Sequence, residues 1–280
     1  MKKKIKKSIT SYVINILLVI FIFYLALFIN DIKPFGIYDL ATYDGFYQYK
    51  PILFNFIKNI QEGTLLNYSF LNTLGNSFFF NFTYYLSSPI NLLVLPFKNA
   101  NTMFLAVITI KLIITTITTT FFTSTKTDNK ILTTIIPLSY IFSSWFLAYN
   151  QSIMWIDTFM IFPLFQYGLE KLLNKNKPYI YIFSLAYIMI SNFYMAWIIC
   201  IYTLGYFIYQ VILTKKEKSI KLIRFNTITL ATIVTILLSF FYIYITYDSF
   251  INIGFYINEA TTDETTIPIL NLIKSFLCAI

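Results

Sequence analysis

The sequence predicts an all-α polytopic membrane protein: about seven transmembrane helices with a large first outer loop that carries interfacial helices. Three observations point there. The 280 residues are 58% apolar and only 12% charged, whereas soluble domains average about 25% charged. Seven stretches approach the roughly 20 mostly apolar residues that a helix needs to cross the hydrocarbon. The charges also partition: one topology puts 15 of the 21 basic residues on the cytoplasmic side and 9 of the 12 acids on the other. Short cytoplasmic loops are enriched in Lys and Arg, and that bias sets orientation.

The first expected span is 11–29, preceded by Lys2, Lys3, Lys4, Lys6 and Lys7. It is too long for the apolar region of a secretory signal, and no small-x-small cleavage site follows it, so it reads as a retained span. The outer segment 30–101 holds four of the eight prolines and four of the seven glycines. Within it, 48–60 spaces Ile52, Leu53, Phe56, Ile57 and Ile60 at helical intervals. The stretch 84–97 is too short and too interrupted by proline to cross. Both are expected to lie in the outer interface.

Six further spans are expected at 102–123, 131–149, 158–173, 179–194, 195–213 and 226–247. The fifth and sixth are separated at the polar pair Ser191-Asn192, because one crossing there would put Lys215 through Arg224 outside. With seven crossings the N-terminus is cytoplasmic, 248–280 is an external C-terminal segment, and the whole chain is one membrane domain. The Thr-rich run 115–120 is expected to bond back onto its own helix.

Composition also excludes chemistry. There is no histidine, the commonest general base and metal ligand. Cys200 falls within a span and Cys278 near the end of the sequence, which leaves no disulfide framework and no thiolate zinc site. The net charge of +9 is spread over separate cytoplasmic loops. It fits attraction to anionic inner-leaflet lipid better than nucleic-acid binding.

The remaining candidates are few. Asp44 lies about 15 residues beyond the first span, and Asp157 closes the short outer loop 150–157. Two carboxylates at one outer face can act as a base, a metal clamp or a hydrogen-bond anchor. Each can equally cap the helix that follows it. Asp39 is a weaker candidate of the same kind. Lys111 sits about nine residues into a span, where a charge is expensive and suggests either a bound lipid phosphate or snorkelling to one end. Trp155, Tyr84 and Tyr85 can stack on sugar rings, although interfacial anchoring accounts for them as well.

Several of these residues fall into an ordered series: Asp44-x-x-x-Gln48-Tyr49, Leu74-Gly75-Asn76, then Tyr84-Tyr85-Leu86-x-Ser88-Pro89-x-Asn91-Leu92. Asn150, Met154-Trp155-x-Asp157, Pro163-Leu164, Gly168-x-Glu170 and Ser191-Asn192-Phe193-Tyr194 continue it. The series resembles the bacterial YfhO family of membrane proteins. Each element alone is weak; the order makes the likeness specific. Family members are considerably longer, so the chain is expected to be a shortened member or the N-terminal part of one.

The resemblance implies a GT-C-type glycosyltransferase of the plasma membrane. Such an enzyme moves a sugar from a polyprenyl-phosphate carrier to a cell-envelope acceptor outside, such as lipoteichoic acid. It implies Asp44 and Asp157 as the catalytic acids, with no obligatory cofactor and room for a divalent cation. Gln48, Tyr49, Tyr84, Tyr85, Asn150 and Trp155 would contact substrate, and Lys111 would balance the carrier phosphate. The alternatives are a lipid-linked-sugar flippase, which would place charges and broken helices at the midplane, and a non-catalytic membrane subunit.

Overall fold

The computed structural model describes residues 2–63, 68–69, 76–77, 81–213 and 218–259. The described residues are overwhelmingly helical: α1 (Lys2–Ile29), α2 (Lys50–Glu62), α3 (Ala100–Ser124), α4 (Leu132–Ile141), α5 (Ser144–Tyr149), α6 (Ile153–Lys175), α7 (Tyr179–Ser191), α8 (Phe193–Leu213) and α9 (Lys218–Glu259). A two-residue antiparallel pair, Tyr68–Ser69 with Asn76–Ser77, is the one sheet among them. Four helical stretches are long and apolar enough to cross a membrane: Ile9–Ile29, Ala100–Ser124, Leu132–Tyr149 and Phe193–Ile212. Two shorter apolar stretches, Tyr179–Ser191 and Arg224–Phe240, accompany them. The apolar helices make this a multi-pass membrane protein. Position 74–75 of the sequence series and most of the expected C-terminal segment, 260–280, lie outside the described residues.

The helix ends have local causes. Asn99 caps α3 by accepting a hydrogen bond from the Asn101 amide at 2.8 Å. The stretch Leu132–Tyr149 is interrupted at Phe142 and Ser143, five and six residues after Pro137, which removes a backbone donor inside α4. The polar pair at 191–192 does break the helix: Asn192 is extended, its Oδ1 accepts from the Met195 amide at 2.9 Å, and α8 restarts from it.

Two apolar clusters make up the core, and α6 belongs to both. The first joins α1, α2, α3 and the start of α6 through Phe23, Leu53, Phe56, Phe104 and Ile156. The second joins the rest of α6 to α7, α8 and α9 through Phe165, Leu169, Tyr181, Ile199 and Ile228. Gly168 is what lets α6 and α7 touch: a Cβ there would fall 2.5 Å from the Tyr181 amide nitrogen. Polar side chains tie the first cluster together. Asn15 on α1 donates to Thr120 Oγ1 and to the Thr133 carbonyl, each at 2.9 Å. Thr115, Thr116, Thr119 and Thr123 bond back to the carbonyls four residues earlier, as expected for that run.

Three expectations need correcting. The sixth helix begins at Ile153, so Asp157 lies inside it rather than in an outer loop, and the α5–α6 connection shrinks to 150–152. The apolar side of α2 faces its own protein: Leu53, Phe56 and Ile57 are buried against the first cluster instead of facing lipid. The stretch 84–97 is not one interfacial helix. It is a π-helical turn at Phe82–Leu86, an extended Ser88 and a 3-10 helix at Pro89–Val94. Pro89 disfavours the helical conformation at the residue before it, which forces the break.

Candidate functional site

Asp44 stands at the head of a π-helical turn, Gly45–Tyr49, that leads directly into α2. The approach to it is anchored on three sides. Asp39 accepts from the Ala41 amide at 3.0 Å and pairs with the largely buried Lys50, which also donates to Asn101 Oδ1 at 2.9 Å. The Lys50 ammonium lies 4.5 Å from the centre of the Phe46 ring, in cation–π range. Gln151 Oε1, from the α5–α6 connection, accepts both the Thr42 amide at 3.0 Å and the Thr42 hydroxyl at 2.8 Å. A Cβ on Gly45 would sit 2.7 Å from that same oxygen, so any larger residue there would displace it.

Asp44 itself is exposed, helical in backbone conformation, and makes no capping hydrogen bond. Among the described residues it forms no ion pair. The helix-cap explanation for this acid is therefore absent. Beside it, Gln48 donates to the Tyr85 hydroxyl at 2.7 Å. The Tyr85 ring lies 5.8 Å from that of Tyr49 and 4.5 Å from that of Tyr84, and Tyr84 continues to Phe193 at 5.5 Å. Burial, with added repulsion from Tyr84, Tyr49 and Asp44, pushes the Tyr85 hydroxyl up to about 12. Burial raises Tyr49 and Tyr84 as well. Tyr85 thus stays protonated at neutral pH, and because it accepts from Gln48 its own O–H is available to donate.

The second constellation is buried. Lys111 on α3 donates to Asp157 Oδ2 at 2.6 Å and to the Ile153 carbonyl at 2.7 Å, and both charged side chains are 0% exposed. The other oxygen of Asp157 accepts from Ser88 at 2.6 Å and from Tyr187 at 2.8 Å. Four parts of the chain meet at one carboxylate: α3, α6, α7 and the outer segment at Ser88. Burying two charges costs several kcal/mol per ion unless geometry and extra hydrogen bonds compensate. Here both carboxylate oxygens are occupied. This arrangement leaves Asp157 little capacity to accept a proton from substrate, and it supplies Lys111 with a counter-ion of its own.

A family model described as bacterial membrane protein YfhO matches residues 15–278. The chain belongs to the YfhO family. Comparisons with curated proteins and with solved structures gave no match. The YfhO match spans Asp39, Asp44, Lys111, Asp157 and the whole ordered series through Tyr194.

In this YfhO protein, Asp44, Gln48, Tyr49, Tyr84 and Tyr85 come together, and Lys111 and Asp157 form a separate pair. Among the described residues the Asp157 carboxylate bonds to Lys111, Ser88 and Tyr187 and to none of the residues around Asp44. Trp155 stacks on Tyr194 (6.0 Å) and meets Tyr149 edge-on (5.3 Å), with its indole nitrogen buried and unpartnered. Asn150 turns back to the Leu147 carbonyl at 3.0 Å, a local bond that closes α5. Among the described residues no three His, Cys, Asp or Glu side chains gather where a metal ion could be held. A cation at Asp44 would have to complete its shell from carbonyls, water or substrate. Sequence reasoning missed Gln151, Ser88 and Tyr187. Ser88 belonged to the quoted series and Gln151 adjoins Asn150, but nothing local marks Ser88 as a partner of Asp157 or Gln151 as a partner of Thr42.

Proposed function

We propose that this YfhO protein is a membrane glycosyltransferase that takes a sugar from a polyprenyl-phosphate carrier and gives it to a cell-envelope acceptor on the outer face. The carrying observation is Asp44: an exposed, uncapped and unpaired carboxylate held beside a protonated tyrosine. Asp44 accepts the proton of an acceptor hydroxyl as that oxygen attacks the anomeric carbon. The bond from that carbon to the carrier phosphate breaks, and the phosphate leaves with the bonding pair. Tyr85 and Gln48 lie where they can hold a sugar hydroxyl or a phosphate oxygen, and the Tyr49, Tyr84 and Tyr85 rings supply apolar faces for a sugar ring.

This reading takes the seven-crossing topology with a cytoplasmic N-terminus, which puts Asp44 outside. It gives Lys111–Asp157 a structural part. Membranes containing the protein, supplied with labelled polyprenyl-phosphate hexoses and cell-envelope acceptors, should transfer label. Asp44→Asn should abolish transfer while the protein still accumulates. Normal transfer by Asp44→Asn would end the proposal.

One observation favours a flippase instead. A charged pair is buried in the bundle, and helices are interrupted at 142–143 and at Asn192. Vesicles carrying the purified protein and a fluorescent polyprenyl-phosphate sugar separate the two readings. Movement of the lipid between leaflets without acceptor glycosylation would support the flippase.

A further inference from the structure

Gln151 is not among the residues singled out from the sequence, yet its side chain lies against the turn that carries Asp44. Its Oε1 accepts two hydrogen bonds from Thr42, 3.0 Å from the amide and 2.8 Å from the hydroxyl. The backbone at Gly45 approaches closely enough that a single Cβ would reach within 2.7 Å of Oε1 and 2.9 Å of the Gln151 Cβ. Asp44 lies between those two contact points. The Gln151 side chain therefore grips the turn on both sides of the carboxylate. Gln151 is in turn fixed. It is followed by Ser152, which is buried and whose carbonyl accepts from the Trp155 amide at 2.8 Å, and by Ile153, whose carbonyl receives the buried Lys111 ammonium.

We propose that Gln151 is a positioning residue for Asp44: it fixes the exposed turn to the head of α6 and so sets where the carboxylate stands relative to the Tyr49, Tyr84 and Tyr85 cluster. The proposal rests on the glycosyltransferase reading, in which the base must meet the acceptor hydroxyl in hydrogen-bond range. An exposed turn has few apolar contacts of its own, so a clamp of this kind decides whether the base is aimed.

The test uses the full chain in membranes. Gln151→Leu keeps the volume of the side chain and loses the acceptor; Thr42→Val loses the hydroxyl donor; Thr42→Ser keeps it. Gln151→Leu should lower kcat for sugar transfer by about 100-fold, the cost of misplacing a reacting group by roughly 1 Å, with KM little changed. Thr42→Val should lower kcat in the same direction and Thr42→Ser should restore it. The double variant Gln151→Leu/Thr42→Val should be no worse than Gln151→Leu, since the two act through one contact. Wild-type kcat in Gln151→Leu overturns the proposal, as does a Thr42→Ser variant as slow as Thr42→Val. A second readout needs no activity. In an Asp44→Cys chain, a membrane-impermeant maleimide should label position 44 several-fold differently with Leu at 151 than with Gln. If wild type transfers no sugar, the glycosyltransferase reading fails. The clamp then stands on that labelling difference, and an unchanged rate overturns it.

Discussion

Asp157 and Lys111 have opposite charges and no exposure, so each is tolerable only because of the other. Asp157→Asn leaves an ammonium buried without a counter-ion, and Lys111→Met leaves a carboxylate with hydroxyl partners alone. Either single change should destabilise the fold by about 3–5 kcal/mol, the usual consequence of breaking a buried pair from one side. Lys111→Met combined with Asp157→Leu should recover much of that loss, because neither charge then remains. Thermal unfolding of detergent-purified protein, followed for all three variants, checks it; a double variant as unstable as the sum of the singles would mean the pair is not the operative interaction. Lys111→Arg should also be poorly tolerated, since a guanidinium has no room where Nζ meets the Ile153 carbonyl and the carboxylate together. The sequence made Lys111 conspicuous, because a charge inside an apolar run is visible by itself. Its partner was not visible. Asp157 is 46 positions away, and a carboxylate at the edge of an apolar run reads as the end of a helix. Only the fold shows that the helix continues around it.

At the scale of elements, two glycines set the spacing. In α6, Gly168 faces the backbone of α7 at Ile180 and Tyr181, atoms that cannot swing away. Gly168→Ala should therefore push the two helices apart at a cost of about 1–3 kcal/mol, as overpacking in a close contact does. A lowered unfolding temperature would register it, and an unchanged one would show that α6 and α7 slide without penalty. At Gly45 the obstacles are Oε1 and Cβ of Gln151, 2.7 Å and 2.9 Å from an added Cβ; the first can swing away and the second cannot, so Gly45→Ala should cost less stability than Gly168→Ala. It should displace Gln151 from Thr42, with slower sugar transfer as the observable; unaltered transfer would weaken the importance of that approach. Helix breaks with a local cause were legible in the sequence. Ser191-Asn192 interrupts an apolar run with a residue that favours capping, and Asn192 does cap α8. The outer segment was harder. The helical spacing of α2 was plain from Leu53, Phe56 and Ile57, but periodicity states which face is apolar without stating whether lipid or protein covers it. The same limit applied to 84–97, where Pro89 was noticed as an obstacle to crossing while the burial of Leu86, Asn91 and Val94 depends on neighbours distant in sequence.

For the whole molecule the decisive quantity is the side of the membrane on which Asp44 stands. Hydropathy alone leaves the orientation open, since every span reads the same in either direction. Lysine distribution breaks that symmetry: Lys126 and Lys130, Lys171, Lys175 and Lys177, and Lys215 through Arg224 fall on the same side of the expected crossings as Lys2 through Lys7. That placement works only if α7 and α8 cross separately, and the interruption at Asn192 is compatible with that. Reporter fusions after Lys130, Lys175 and Lys218 should accordingly read cytoplasm, and fusions after Glu62, Asn150 and Asp263 should read outside. The Glu62 fusion carries the most weight. It sits at the end of α2, which continues directly from the turn bearing Asp44, so its side is the side of the carboxylate. A polyprenyl-phosphate sugar presented in the outer leaflet can be reached by Asp44 only from there. A cytoplasmic Glu62 reporter would remove the carboxylate from the donor and leave the Lys111–Asp157 pair as the more informative polar feature of the bundle.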